Sequence, residues 1–230
     1  MLSFVITIEN NKISEDAADI CIESSKINSF EVVKSLAVVP RQVDSLMMKY
    51  NLKWNYPWQG EVFDFATGLK KSAYTTANPK SRMACALSHY ILWKRCYDFN
   101  SPYLILEHDA IFTEQLDPNY IINSNFNIVG INNPLGATRK SKLFKEIVDS
   151  NKDKPIIITT TIDDVSIPQG LAGNSAYIIK PVGAKLLLDA AHQYGLWPND
   201  ALMCKQLIPK LGVTSKYYTR VQGTKSTTSQ

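Results

Sequence analysis

The chain has 230 residues, 45% hydrophobic and 20% charged, so it is long enough to bury a full core and its composition excludes wholesale disorder. Its net charge of +4 allows phosphate-bearing partners without requiring nucleic acid. We expect one domain over residues 1–222 and a frayed polar tail at 223–230.

The cysteines and the apolar segments bear on the cellular compartment. Cys21, Cys85, Cys96 and Cys204 have no Cys-x-x-Cys spacing, which is typical of buried thiols in a reducing compartment. No apolar run is long enough to predict membrane insertion, and residues 2–8 are too short and lack the basic leader of a signal peptide. We therefore expect a cytoplasmic protein, either bacterial or in the host cytoplasm if viral. The sequence does not indicate an oligomeric state.

The first elements alternate between strand and helix. Residues 4–8 predict a strand, residues 15–24 a helix with acidic residues in its first turn, and residues 35–39 a second strand. This alternation favours an α/β fold.

Residues 50–80 predict a long loop, because they are rich in aromatic residues, Pro, Gly and Asn and show little periodicity. Trp54, Tyr56 and Trp58 lie within it. They either form a stacking surface for a sugar or a base, or they cap the core.

Residues 81–99 predict a largely buried helix with one polar stripe. Ser81 and Ser88, and likewise Arg82 and His89, are seven residues apart and therefore share a face. We expect this stripe to face the functional site. Ser88 and His89 would then contact a phosphate of the ligand or brace nearby acids, although a lone helical histidine is often structural.

The most informative segment follows this helix. Residues 103–106 are a continuous apolar run, which predicts a strand covered on both faces, and Glu107 and Asp109 come directly after it. Ligands of open α/β sheets bind beyond the carboxyl ends of the strands. Carboxylate oxygens there suit Mg²⁺ or Mn²⁺, with a nucleotide diphosphate completing the coordination. Alternatively, the two acids are solvated turn residues.

Further strands are predicted at residues 127–131 and 155–162. Between them the chain concentrates positive charge, which forms either a solvated face or a surface that attracts a phosphate-rich partner. Its residues are Arg139, Lys140, Lys142, Lys145, Lys152 and Lys154. Asp163 and Asp164 are a rival metal site, ranked lower because acids before Pro and Gly commonly form turns.

From Arg82 to Phe112 the sequence resembles glycosyltransferase family 25, the lipopolysaccharide and collagen galactosyltransferase group. That family carries a Gly-Cys-x-x-Ser-His-x-x-x-Trp helix and a strand ending in Glu-Asp-Asp. Here residues 84–93 read Ala-Cys-Ala-Leu-Ser-His-Tyr-Ile-Leu-Trp, and residues 107–109 read Glu-His-Asp. Weaker similarity follows at residues 172–188, and at 197–203 with its Pro and Asp.

The resemblance implies a fold, a reaction and a set of site residues. The fold would be GT-A-like, a single Rossmann-like α/β domain with a mostly parallel sheet flanked by helices. The reaction would be the inverting, metal-dependent transfer of a hexosyl or pentosyl group from a nucleotide sugar, a UDP-sugar, to a hydroxyl. Asp109 with Glu107 would hold Mn²⁺ or Mg²⁺, and Asp200 would be either the catalytic base or an ordinary helix cap. The other donor contacts implied are Ser88, His89, Thr7, Asn174 and Tyr177.

The chain also departs from the family pattern. His108 replaces the middle acid, Arg82 stands where the family has Glu, and Ala84 replaces a glycine. Residues 5–9 read Val-Ile-Thr-Ile-Glu instead of the usual Ile-Asn-Leu-Asp pattern. These departures put the metal, ribose and base contacts in question.

Two further alternatives remain open. The acceptor would be a glycan such as lipopolysaccharide, or a hydroxymethylated base of DNA, as in a phage enzyme. Otherwise the chain is a noncatalytic descendant that binds a nucleotide, a glycan or nucleic acid, for which His108 is the main indication.

Overall fold

The computed structural model describes residues 1–136, 140–171 and 173–223. The helices are α1 Lys12–Ser25, α2 Val43–Lys49, α3 Pro79–Asp98, α4 Asn119–Ile122, α5 Ser141–Asp149, α6 Pro181–Tyr194 and α7 Asn199–Leu202. The strands are β1 Leu2–Thr7, β2 Val33–Leu36, β3 Glu61–Asp64, β4 Leu69–Ser72, β5 Tyr103–Glu107, β6 Ala110–Phe112, β7 Ile128–Gly130, β8 Ile156–Ile158, β9 Ala176–Ile179, β10 Leu211–Thr214 and β11 Thr219–Val221. Among the described helices, none is long and apolar enough to pass through a membrane. The predicted tail lies, beyond Gly223, outside the described residues.

A seven-stranded sheet in the order β2-β1-β5-β9-β7-β10-β8 forms the centre of the molecule. The pairs β1–β2, β1–β5 and β7–β10 are parallel, whereas β9 runs antiparallel to β5 and β7, and β8 to β10. The sheet is therefore mixed, and helices flank it on both faces. The predicted single-domain α/β fold is confirmed.

The apolar run of β5 is buried on both faces of the sheet, as its sequence predicts. Tyr103 and Ile105 pack in one layer of the core with Leu87, Trp93 and residues of α6. Leu104 and Leu106 pack in the other layer, with residues of α1 and β6. Since these four side chains have no exposed surface, β5 is a rigid base for the residues that follow it.

The register of the sheet brings three chain segments to the carboxyl end of β5. Ile6 of β1 lies beside Glu107 in the parallel β1–β5 pair. Ala176 begins the antiparallel strand β9 opposite Leu106, and the amide of Glu107 donates to the carbonyl of Ser175 over 2.8 Å. The turn before β9 therefore meets the end of β5, although the two are far apart in the sequence.

The prediction of a loop over residues 50–80 is wrong in its second half, where β3 and β4 form an antiparallel hairpin. Polar contacts hold this hairpin together, so no hydrophobic periodicity marks it. The ammonium group of Lys71, 2% exposed, lies 2.8 Å from Oδ2 of Asp64 and 4.6 Å from the ring centroid of Trp197. It also donates to the carbonyl of Asn55 over 2.8 Å.

The aromatic residues before the hairpin have different environments. Tyr56 is buried, with its ring centroid 5.9 Å from that of Trp197, so it caps the core. Trp54 and Trp58 stack on each other with centroids 5.0 Å apart, and Trp58 is partly exposed.

Candidate active site

A cavity of about 570 Å³ opens at the edge of the sheet where β1, β2 and β5 end and β9 begins. Its walls come from β1, α3, the segment after β5, the turn before β9 and α7. The charged and titratable residues among those that line it are Arg82, Cys85, His89, Glu107, His108, Asp109 and Asp200. None of Trp54, Tyr56 and Trp58 lines it.

One face of α3 forms a wall of the cavity. Ser81, Arg82, Cys85, Ser88 and His89 all line it, and their spacing is that of a single helical stripe. Leu87, Leu92, Trp93 and Cys96 of α3 are packed in the core, while Arg95, Tyr97 and Asp98 near its end are exposed. The predicted polar stripe thus borders the cavity.

Glu107 and Asp109 lie at the end of β5, and their pKa values are shifted in opposite directions. Burial and the negative charge of Glu107 raise the pKa of Asp109 to about 7. Burial also raises the pKa of Glu107, but its neighbours outweigh this effect. The pKa falls below its ordinary value mainly because of the imidazole of His89, with smaller contributions from His108 and from a hydrogen bond with Asn199. Of the two carboxylates, Glu107 is therefore the one that keeps its negative charge to lower pH.

The fit of a divalent cation can be judged from Asp109. Its Oδ1 atom is buried and has no hydrogen-bond partner in the described structure. An unpartnered buried carboxylate oxygen beside a second carboxylate is a donor set that suits Mg²⁺ or Mn²⁺. The residues present therefore fit such an ion.

His89 is fully buried and held by an aromatic network. Its Nδ1 atom lies 2.8 Å from the hydroxyl of Tyr177, which accepts a hydrogen bond of 2.8 Å from Nε1 of Trp93. Its Nε2 atom lies 3.3 Å from Oε1 of Glu107, without the geometry of a hydrogen bond. The ring is thus fixed at one nitrogen, and the other faces the acids.

The turn before β9 supplies neutral polar groups. Asn174 and Ser175 are 5% and 4% exposed and line the cavity, yet both amide atoms of Asn174 and the hydroxyl of Ser175 have no hydrogen-bond partner within the described residues. Buried polar groups are normally satisfied, so these groups are available to a polar ligand.

Asp200 lies in the first turn of α7 and also lines the cavity. Burial raises its pKa, while the charge of Arg82 and a hydrogen bond from Tyr74 act in the opposite direction. The guanidinium of Arg82 is itself placed over the ring of Tyr74, 5.0 Å from its centroid. Gly170 packs closely against the backbone of α7. A Cβ atom at this position would lie 2.6 Å from the carbonyl oxygen of Asp200.

The other predicted donor contacts, Ser88, Thr7 and Tyr177, do not offer free polar groups to the cavity. Ser88 lines the cavity, but its hydroxyl accepts from the amide of Val38 over 2.9 Å and donates to the carbonyl of Ala84 over 2.8 Å. Thr7 and Tyr177 are buried and do not line the cavity. The assignment of these residues to donor binding stays a prediction.

The second acidic pair lies away from the cavity. Asp163 contacts the ammonium of Lys140 over 2.5 Å, and Asp164 accepts hydrogen bonds from the amide and the hydroxyl of Ser166 over 2.8 and 2.7 Å. Asp164 thus has the turn geometry that its sequence predicts.

Cys85, Ser175 and Asn199 line the cavity, although the sequence analysis assigns them no function. Cys85 was interpreted as a buried thiol, although it precedes His89 by one helical turn and therefore shares its face. Ser175 and Asn199 are direct neighbours of Asn174 and Asp200, and their side chains also line the cavity. Chain proximity was the only signal for these two.

Comparison with known proteins identifies one family, whose match covers most of the site. The model of glycosyltransferase family 25, described as an LPS biosynthesis protein, matches residues 62–203. No curated protein matches the chain. Among solved structures, the apo form of mouse xyloside xylosyltransferase 1 is similar with 11% identity and a TM-score of 0.43, over 92% of this chain and 84% of that chain. Because the family model spans more than half of the chain, including α3, Glu107, Asp109 and Asp200, the protein belongs to glycosyltransferase family 25 and is a glycosyltransferase.

Proposed function

We propose that the protein transfers a hexosyl or pentosyl group from a UDP-sugar to a hydroxyl of a glycan such as lipopolysaccharide, with inversion at the anomeric carbon. One observation carries this proposal. Of the eight buried side-chain polar atoms without a partner among the described residues, five belong to residues that line the cavity. They belong to His89, Asp109, Asn174 and Ser175. Each unsatisfied polar group costs about 1–3 kcal/mol, so their concentration favours a polar ligand at this place.

The donor would lie against the end of β5. Glu107 and Asp109 would hold Mn²⁺ or Mg²⁺, which stabilises negative charge on the departing diphosphate as a Lewis acid. Asn174 and Ser175 face the same cavity and offer both donors and acceptors, as the hydroxyl groups of a sugar require. His89 orients Glu107 from its position 3.3 Å away.

Asp200 is the proposed base. A single displacement needs a group that removes the proton of the acceptor hydroxyl as the new bond forms. Burial raises the pKa of Asp200, which strengthens it as a proton acceptor, and its place on the cavity wall gives it access to the acceptor. The positive charge of Arg82 opposes this rise, because it favours the ionised carboxylate.

Ser88, Thr7 and Tyr177 would affect donor binding indirectly, by holding the residues that form the cavity. The hydroxyl of Ser88 joins α3 to the segment after β2, and the hydroxyl of Tyr177 holds His89. We propose that these residues set the shape of the cavity, whereas Glu107, Asp109, His89 and Asn174 face the donor.

A glycan acceptor is preferred to DNA because the matching family is described as an LPS biosynthesis protein, and the basic cluster is in part paired within the protein. Lys145 and Lys152 both pair with Asp149, and Lys140 pairs with Asp163, while Arg139 lies outside the described residues. The two carboxylates, those of Asp149 and Asp163, thus offset part of the positive charge predicted to attract phosphates. Transfer to a DNA base and a cytoplasmic location stay predictions.

A donor and acceptor screen tests the function. Nucleotide sugars are incubated with glycan acceptors and with hydroxymethylated DNA, in Mn²⁺, Mg²⁺ or a chelator, and products are detected by mass spectrometry. We expect a mass gain of one sugar on a glycan, with a UDP-sugar and metal only. Calorimetry with the same donors provides the second measurement, because metal-independent binding without any turnover would support the noncatalytic alternative instead.

A further inference from the structure

Cys85, His89 and Glu107 form a cluster that the proposed transfer does not explain. One ligand atom from each, the thiol sulfur, an imidazole nitrogen and a carboxylate oxygen, lie within 4.8 Å of one another. Cys85 and His89 are one turn apart on α3, and Glu107 ends β5 opposite them. All three line the cavity. In the transfer reaction the thiol of Cys85 has no task.

The imidazole of His89 has the environment of a metal ligand. Nε2 is fully buried, lacks a hydrogen-bond partner in the described structure and faces Glu107. Nδ1 lies 2.8 Å from the hydroxyl of Tyr177. Histidines that bind a metal usually donate their other ring N–H to a fixed acceptor, which sets the ring orientation. With a cation on Nε2, the ring proton lies on Nδ1 and Tyr177 accepts it.

The donor set differs in chemistry from the neighbouring carboxylates. A thiolate, an imidazole and a carboxylate prefer Zn²⁺ to Mg²⁺ or Mn²⁺, because sulfur is a soft ligand. The thiolate and the carboxylate together carry two negative charges, which balance the ion. Three protein ligands with a fourth position open to a cavity are the pattern of a zinc site that also binds a small molecule or water.

We propose that Cys85, His89 and Glu107 form a Zn²⁺ site inside the cavity, with Tyr177 as the group that orients His89. This site does not include Asp109, whose unpartnered oxygen would suit a harder cation, and it requires neither donor nor acceptor. It shares Glu107 with the proposed catalytic ion, so bound Zn²⁺ would compete with Mn²⁺ for that carboxylate.

Cobalt titration of the whole protein tests the site, because Co²⁺ replaces Zn²⁺ and a cobalt–thiolate bond absorbs in the near ultraviolet. We expect one equivalent of Co²⁺ per chain with this band, displaced by Zn²⁺. Cys85→Ser should remove the band. Cys96→Ser is the matched control, since Cys96 is buried on the same helix but its sulfur contacts only backbone carbonyls.

A second pair of variants tests the orienting role of Tyr177. Tyr177→Phe should weaken Co²⁺ binding roughly 10- to 100-fold, as loss of an outer hydrogen bond to a metal ligand typically does. Tyr120→Phe is the control, because the hydroxyl of Tyr120 contacts Tyr218 outside the cavity.

The Co²⁺ titration of the protein without substitutions tests the zinc site even if a variant fails to fold. Binding of Co²⁺ without the thiolate band, or no binding at all, would overturn the zinc site. Asp109→Asn separates this inference from the proposed function. If it removes Co²⁺ binding while Cys85→Ser does not, the ion lies on the carboxylates, the zinc site is refuted and the transfer mechanism is unaffected. A retained band with transfer lost shows that Zn²⁺ binding does not need Asp109, whereas transfer does, and supports the zinc site.

Discussion

Glu107 with Asp109, and Asp163 with Asp164, are two acidic groups that follow strands and look alike in the sequence. The structure separates them by their partners. Asp163 contacts Lys140 and Asp164 accepts from Ser166, so the protein itself satisfies that pair. Asp109 keeps a buried oxygen without any partner in the described structure, beside a second carboxylate and at a cavity. Acids that the fold leaves unsatisfied, and not acids as such, indicate a ligand site.

The largest loss of transfer activity is expected for a substitution in the first pair. Asp109→Asn should abolish transfer, since removing a group that stabilises developing charge commonly costs 10²- to 10³-fold or more, an order-of-magnitude expectation. Asp163→Asn, the matched change in the other pair, should leave the rate within about twofold. Initial rates of sugar transfer measure both. Equal losses in the two variants would contradict the distinction.

Asp200 is an intermediate case, because it lines the cavity but has Arg82 beside it. Asp200→Asn should lower kcat by roughly 10²- to 10⁴-fold, the usual contribution of a general base, with little change in donor affinity. Steady-state kinetics and donor calorimetry on the same preparation separate the two quantities. A normal kcat would assign Asp200 to helix capping alone.

A smaller loss of kcat is expected when a substitution elsewhere moves Asp200. Gly170→Ala places a Cβ atom 2.6 Å from the carbonyl oxygen of Asp200 and 3.1 Å from that of Met203. Because both contacts are backbone, α7 must shift, and a misplacement of about 1 Å can cost up to roughly 10²-fold in rate. Gly130→Ala is the control, since its Cβ would meet only the side chain of Leu171 at 3.2 Å. Similar kcat values in the two variants would argue against a positioned base.

The two acidic pairs should also differ in how stability depends on pH. With its pKa raised to about 7, Asp109 keeps its proton in the folded state at pH values where the unfolded chain has lost it. Its contribution to stability is therefore full below about pH 4 and is lost as the pH rises through 7. Asp109→Asn should raise the free energy of unfolding above pH 7 by roughly 1–3 kcal/mol.

Asp164 should show the opposite sign. Hydrogen bonds from Ser166 lower its pKa, so its contribution is present above about pH 4 and is lost as the pH falls through the folded-state pKa. Asp164→Asn should therefore lower the free energy of unfolding above about pH 4 and have little effect at pH values below the folded-state pKa of Asp164. Denaturant unfolding from about pH 2 to about pH 9, with a chelator present, measures both variants. Parallel pH profiles would refute the assigned protonation states.

Several features of the fold and the site were predictable from local sequence. The apolar run of β5 needs only its composition to be recognised as a strand buried on both faces. The stripe of Ser81, Arg82, Ser88 and His89 follows from helical geometry once α3 is identified. The β3–β4 hairpin was not predictable in this way, because a buried ion pair of Lys71 and Asp64 replaces hydrophobic alternation.

The sequence by itself determined the α/β class, the helix with its polar stripe and the strand that ends in Glu107 and Asp109, because composition and period are properties of neighbouring residues. Only the tertiary structure decided which polar atoms remain without partners. Strand β9 pairs antiparallel with β5 and brings Asn174 and Ser175 to Glu107, and α7 brings Asp200 to Arg82. These contacts join residues far apart in the chain, and long-range packing, which no local pattern encodes, sets them.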